Sequence, residues 1–214
     1  HFQGVEIETS GDIFDDEILN LMDFNCDQKS DVHFFYTLPF SKKSALIETT
    51  WISNLEDQTL MDYDLQLKNY IRNNLGIKNY KIKFTEKGAI PLFHPPIKND
   101  NKKIHIGSAG GMTRLSTGYT FLNIQEHSKF IRENIDKIEK IRKYHLGKKY
   151  KFLDSIFLRV LESNPEKMPN IFYKMFKSSP NTIIRFLSNK SNILEDISII
   201  AKMPKLIFIK ALFN

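Results

Sequence analysis

Ile104-His-Ile-Gly-Ser-Ala-Gly-Gly-Met-Thr-Arg-Leu-Ser-Thr-Gly-Tyr-Thr-Phe121 is the stretch on which the fold reading turns. Ile104 and Ile106 are apolar and β-favouring, and they run into a turn that holds Gly107, Gly110 and Gly111. Ser116, Thr117 and Gly118 then open a long helical pattern. Three of the nine glycines fall within these five residues. Glycine is favoured where φ must be positive or where a ligand meets the main chain without a Cβ between them. A strand, a glycine turn and a helix N-terminus together offer backbone N–H groups and a helix dipole to an anion. A tight connection without any ligand explains the same spacing equally well, and Gly-x-x-Gly-Gly is no dinucleotide fingerprint.

Working outward, 214 residues with 41% hydrophobic and 26% charged side chains describe a globular chain with a sizeable core. One cysteine, Cys26, excludes an internal disulfide and a cysteine-based metal cage. It reads as a small half-buried hydrophobe. The net charge of +6 suits an anionic partner or a plain solvated basic surface. No apolar run is long enough to cross a bilayer, and no signal peptide is visible. The chain opens at His1-Phe2-Gln3-Gly4 without methionine and reads as a C-terminal fragment.

Val5 to Thr9 alternates like a strand, and Leu19 to Phe24 reads as another, with Asp23 either a solvated turn residue or a pocket carboxylate. Val32-His-Phe-Phe-Tyr-Thr-Leu-Pro-Phe40 and Ser44-Ala-Leu-Ile-Glu-Thr-Thr-Trp-Ile52 make an antiparallel hairpin around Ser41-Lys42-Lys43. Alternation in the second run puts Ala45, Ile47 and Thr49 on one face and Leu46, Glu48 and Thr50 on the other. Asp62 to Leu75 has helical spacing with Gly76 as its stop. Tyr80 to Glu86 alternates again, which predicts Tyr80, Ile82 and Phe84 facing inward. A loop rich in Pro, Asn, Asp and Lys (94–103) follows. The pattern from Phe121 is helical for about twenty residues, with Ile124, Ile131, Ile135, Ile138 and Ile141 near one face. Residues 152–212 are short helices broken by Pro165, Pro169, Pro180 and Pro204.

Four separated stretches together resemble the flavin-dependent lycopene cyclases of the bacterial β-ionone-forming type. They are Leu21-Met-Asp-Phe24, Phe34 to Phe40 with Ala45-Leu-Ile-Glu-Thr49, Glu86-Lys-Gly-Ala-Ile-Pro91, and Ile106 to Thr113 with Ser116-Thr-Gly-Tyr119. The resemblance implies an α/β flavoprotein fold of the aromatic-hydroxylase-like type, α+β in this fragment, with an antiparallel substrate-domain sheet and C-terminal helices. It divides the chain into a substrate-binding sheet with its connecting helix (1–103), a second flavin-contact segment with a long helix (104–145) and a C-terminal helical region (146–214). The Gly-x-Gly-x-x-Gly unit that opens such proteins is not in these residues, so the fragment alone is expected to bind flavin weakly and to be inactive. Leu92, where the family often has methionine, and Arg114-Leu115 depart from its pattern and read as conservative in bulk or exposed.

The implied activity is acid-catalysed cyclisation of the linear ends of lycopene or a related carotenoid. It is non-redox but requires FAD in its reduced form, with NAD(P)H as the reductant. Glu48 takes the family's catalytic glutamate position. A carboxyl group in an apolar pocket suits the task, because desolvation keeps the proton on. The resemblance places flavin contacts at Gly107, Ser108, Ala109, Gly110, Gly111, Met112, Thr113, Ser116, Thr117 and Gly118. Ser108 stands where hydroxylases of that fold carry aspartate.

Phe34, Phe35, Tyr36 and Trp51 are either pocket walls or ordinary core. Glu86 is a second acid or proton acceptor, or a surface strand end. His94, His105 and His127 show no metal spacing. An apolar substrate implies peripheral membrane contact at the cytoplasmic face; Lys205–Phe213 offers a short apolar end for it, and Lys129–Lys151 reads either as a second lipid contact or as a plain solvated basic face. The alternatives are a flavin-dependent isoprenoid reductase or hydroxylase, and a non-enzymatic basic module. Nucleic acid is not expected as a partner, since the basic residues are spread along the chain without a reader motif.

Overall fold

The computed structural model describes residues 1–54, 61–93, 103–142 and 144–213. The chain divides into two units, His1–Ala89 and Ile90–Asn214. Most of the proline-rich loop and His94 lie outside the described residues.

In the first unit the alternating runs become strands because each has one apolar face to bury. They are β1 (Phe2–Glu8), β2 (Asn20–Asp23), β3 (Val32–Ser41), β4 (Ser44–Ile52) and β5 (Lys81–Gly88). The sheet order is β2-β3-β4-β1-β5, antiparallel throughout. β3 and β4 form the expected hairpin, and every second residue of β4 from Ala45 to Trp51 is buried.

Over that buried face lies α1 (Tyr63–Asn69), capped by Asp62 and continued by a wide π turn at Tyr70–Asn74. The wide turn lets the consecutive Tyr70 and Ile71 both reach the core of Val5, Ile7, Phe35, Ile47, Leu67 and Ile77. The Tyr70 ring stacks on Phe35 with centroids 3.9 Å apart. Gly76, at φ 71°, ends the turn as its position predicts.

β5 departs from expectation. Ile82 and Phe84 are 57% and 56% exposed, and of the three expected inward residues only Tyr80 packs against the core. β5 is an edge strand, and its register with β1 slips at a bulge beside Glu6 and Ile7. An edge strand keeps its alternation without a layer to bury it.

A polar knot joins the helix side of the sheet. His33 stacks on Trp51 at 3.8 Å, with Nδ1 2.8 Å from the Asp27 carbonyl and Nε2 2.8 Å from Thr49 Oγ1. Burial lowers the His33 pKa from 6.5 to about 4. His33 therefore contributes its full stability above pH 6.5. That contribution is lost as the pH falls toward 4, where the unfolded chain takes up a proton that the folded one refuses. The window is worth about 3 kcal/mol. The urea midpoint should fall between pH 6.5 and 4 in the parent protein and fall less steeply in His33→Gln. Equal slopes would place the acid-sensitive group elsewhere.

The second unit is helical: α2 (Phe121–Glu133), α3 (Ile138–Arg142), α4 (Lys148–Ser163), α5 (Met168–Phe176), α6 (Pro180–Leu187), α7 (Ile193–Ile200) and α8 (Lys205–Phe213). Pro169 and Pro180 sit in the first turns of α5 and α6, and Pro204 directly precedes α8. The architecture is α+β, with an antiparallel sheet and C-terminal helices.

The structure departs from three local expectations. Residues 104–106 pair with no strand among the described residues, although Ile106 is extended. Ser116 to Gly118 do not open a helix, because Thr117 and Gly118 N–H both donate to the Arg114 carbonyl and α2 starts at Phe121. The twenty-residue helix breaks after Glu133, where the Asn134 side chain donates to the Phe130 carbonyl and ends the turn, leaving Ile135 exposed.

Candidate functional site

Residues directly opposite across neighbouring strands share a face of the sheet. On the face away from α1, one row reads Tyr36, Glu48, Gly4, Glu86 across β3, β4, β1 and β5. The next row reads Phe34, Thr50, Phe2, Gly88. Glu48 is thus set among aromatic residues in the middle of a sheet.

The half-buried Glu48 carboxyl accepts one hydrogen bond, from Thr50 Oγ1 at 2.6 Å. Burial is the main cause of its raised pKa, opposed by Thr50 and reinforced by the Glu86 carboxylate. Tyr36, directly across from it, has a hydroxyl pKa raised by burial and by Glu48.

Gly4 shapes the gap between the two acids. A Cβ there would stand 3.0 Å from Glu86 Oε1 and 3.1 Å from a Leu46 methyl, so the Glu86 side chain lies over the glycine, toward the Glu48 strand. Phe2 leans in the same way over Gly88. Phe34 meets Tyr36 edge-on at 5.2 Å.

The four aromatic candidates separate. Phe34 and Tyr36 share the Glu48 face, whereas Phe35 and Trp51 belong to the opposite, helix-covered face. Asp23 also leaves the site, since it accepts the Tyr70 hydroxyl at 2.7 Å and stands opposite Phe35. Cys26 is half-buried and its thiol is pushed up to about 12, mainly by burial, so it keeps its proton at neutral pH. Gly4 and Phe2 were not singled out from the sequence. The signal was a lone glycine inside an alternating strand, which marks a close approach.

In the second unit, Gly107–Gly110 form a single 3₁₀ turn closed by Gly111 in the left-handed region. Gly110 is boxed in, because a Cβ there would stand 2.5 Å from the His105 carbonyl oxygen. Gly107, Ser108, Ala109, Gly110, Gly111, Thr117 and Gly118 are at least partly accessible, while Met112, Thr113 and Ser116 are buried.

Arg114 and Leu115 were expected to be conservative or exposed. Instead Arg114 is 0% exposed and Leu115 is buried. The Arg114 guanidinium donates to both Asp154 oxygens at 2.7–3.2 Å and to the Phe186 carbonyl, and it lies over the rings of Tyr150 and Phe186. Asp154 also accepts Leu115 N–H and the Ser116 hydroxyl. The charge is buried because all of its partners are supplied. His127 is buried against Tyr144, with ring centroids 4.8 Å apart, and among the described residues no cluster of His, Cys, Asp and Glu is arranged for a metal.

Glu48 is thus a carboxyl group whose surroundings oppose its ionisation, standing on an aromatic sheet face. The family model described as lycopene cyclase protein matches residues 1–212, and the chain belongs to this family. Membership brings a role in carotenoid cyclisation and a carotenoid substrate. No curated protein and no solved structure matches the chain.

Proposed function

We propose that the protein closes the linear ends of lycopene, or of a related linear carotenoid, into β-ionone rings. The observation that carries this reading is Glu48, an uncharged-favouring carboxyl group on an aromatic face. Glu48 delivers its proton to the terminal carbon–carbon double bond. The neighbouring double bond attacks the resulting cation and closes the ring. Phe34 and Tyr36 face the same space and stabilise positive charge through their ring faces. Glu86, across the Gly4 gap, takes the proton that the ring releases. The proton then returns to Glu48, so hydrogen balances over the cycle.

Reduced FAD, with NAD(P)H as reductant, is the proposed cofactor, and when bound it would supply an electron-rich ring system able to stabilise positive charge. The residues present suit a contact edge. Among the described residues, nothing beyond their own chain neighbours lies within 4 Å of where a Cβ would stand on Gly111 or Gly118, both at positive φ, so a ligand can approach their backbone. The accessible residues of Gly107–Gly111, with Thr117 and Gly118, would touch the group, while Met112, Thr113 and Ser116 support them from behind.

Substrate is collected by peripheral contact with the cytoplasmic face of the membrane. No described helix is long and apolar enough to cross a bilayer. α8 exposes Leu206, Ile209, Leu212 and Phe213 beside Lys205 and Lys210, apolar surface with flanking cations that an anionic lipid surface attracts.

The test is expression of the full native coding sequence in a host that accumulates lycopene. Cyclised product of unchanged mass is expected. Added hydrogen or oxygen would select the reductase or hydroxylase alternative instead. The role of Glu86 has its own readout. Activity needs protonated Glu48, so it falls as the pH rises through the raised Glu48 pKa. Glu86→Gln removes one contribution to that raised value and should move the alkaline limb to lower pH, with a reduced maximum rate. A limb that stays in place at full rate would remove Glu86 from the mechanism.

A further inference from the structure

Helices α4 to α8 of the second unit enclose a cleft of about 420 Å³, within the size range of small-molecule sites. Its deep end is built from Phe157, Met175, Ile199 and Met203, all buried. Its outer end is formed by Ile209 and Leu212 of α8, both about half exposed, and by the exposed Lys205.

The polar groups of the wall are already committed. Asp154 neutralises Arg114 and accepts from Leu115 and Ser116, and the Ser116 hydroxyl is spent on it. A ligand carrying polar groups along its length would lose its hydration there without replacement. An aliphatic chain loses nothing. The volume holds roughly a dozen methylene groups, taking each to be about the size of a water molecule, which is one chain rather than two.

The remaining charge fixes the head group. Lys205 has no ion pair or hydrogen bond among the described residues, and α8 contains no acidic residue. An amphipathic ligand with its chain in the cleft therefore meets a free cation at the mouth.

We propose that this helical unit binds one long-chain fatty acid, its chain in the α4–α8 cleft and its carboxylate at Lys205. The site is independent of the Glu48 chemistry and stands whether or not the protein cyclises carotenoids. It adds an anionic, single-chain ligand to a protein whose expected substrate is an uncharged hydrocarbon.

The experiment titrates the full chain with cis-parinaric acid, read by its fluorescence, and displaces it with palmitate or methyl palmitate. Saturable binding of one equivalent, reversed by palmitate, is expected. Lys205→Glu should weaken palmitate about tenfold, the order of one charge-assisted hydrogen bond, and leave methyl palmitate unchanged. Met203→Trp, which fills the deep end, should abolish binding of both.

Leu212→Trp obstructs the mouth from a half-exposed position that the fold tolerates, so it keeps the test decisive if Met203→Trp unfolds. It should also weaken both ligands. Absence of saturable binding, or wild-type affinity in Leu212→Trp, overturns the site. Equal loss of palmitate and its methyl ester in Lys205→Glu overturns the carboxylate assignment. Retention of one diacyl phosphatidylglycerol in place of palmitate, seen by native mass spectrometry after incubation with both below vesicle-forming concentrations, overturns the single-chain assignment.

Discussion

Glu48→Gln is expected to lower carotenoid cyclisation by at least about 10³-fold, within the range that a positioned general acid supplies. The amide keeps the size of the side chain and can still accept the Thr50 hydroxyl bond, now 2.6 Å long. What it cannot do is release a proton to an alkene. Burial raises the parent carboxyl's pKa and so favours the protonated form that donation requires, whereas the variant has no acid proton to give. Little destabilisation should follow, because the substitution removes a group that burial penalises when charged. Accumulated lycopene in cells with normal levels of the variant is the expected result, scored by product retention and protein quantity together. Cyclised product at the parent's level would end the assignment of Glu48 and, with it, the acid mechanism.

The face that carries Glu48 was legible because β4 obeys a strict period of two. Ala45, Ile47 and Thr49 go inward, so Glu48 must go to the other side. The same rule failed in β5, where Ile82 and Phe84 alternate correctly yet stand at an edge beside a bulge. Alternation reports which residues share a face and says nothing about whether another layer covers that face.

Gly4 and Glu86 show a second limit. They lie 82 positions apart in the chain and become neighbours only through the β1–β5 register. The separation of Phe34 and Tyr36 from Phe35 and Trp51 was readable in principle from the same period of two. Composition alone does not separate them, because all four are aromatic.

The helical unit was read through its prolines and glycines, which mark where helices begin and loops turn. Its central ion pair left no local trace. Arg114 reads from the sequence as conservative in bulk or exposed, and its partner Asp154 is 40 residues away on α4. Burial of a charge is decided by partners, and partners at that separation are a property of the fold.

That ion pair carries the second large prediction. Asp154→Ala should destabilise the protein by about 3–5 kcal/mol, the cost of leaving one member of a buried pair without the other. Arg114 is 0% exposed and would keep only the Phe186 carbonyl and two ring faces. Leu115 N–H and the Ser116 hydroxyl would lose their acceptor in the same step. Arg114→Met combined with Asp154→Leu removes both charges together and should recover most of the loss, since apolar replacement of a whole buried pair is often neutral or better. Urea unfolding of the parent, the single variant and the double variant, followed by far-ultraviolet circular dichroism, measures this directly. Asp154→Leu alone, which fills the same space but leaves Arg114 charged and buried, should lose about as much as Asp154→Ala, and that control separates an uncompensated charge from a simple cavity. An Asp154→Ala midpoint within experimental error of the parent would mean that Arg114 reaches water, and that the buried pair does not hold the 114–116 loop to α4.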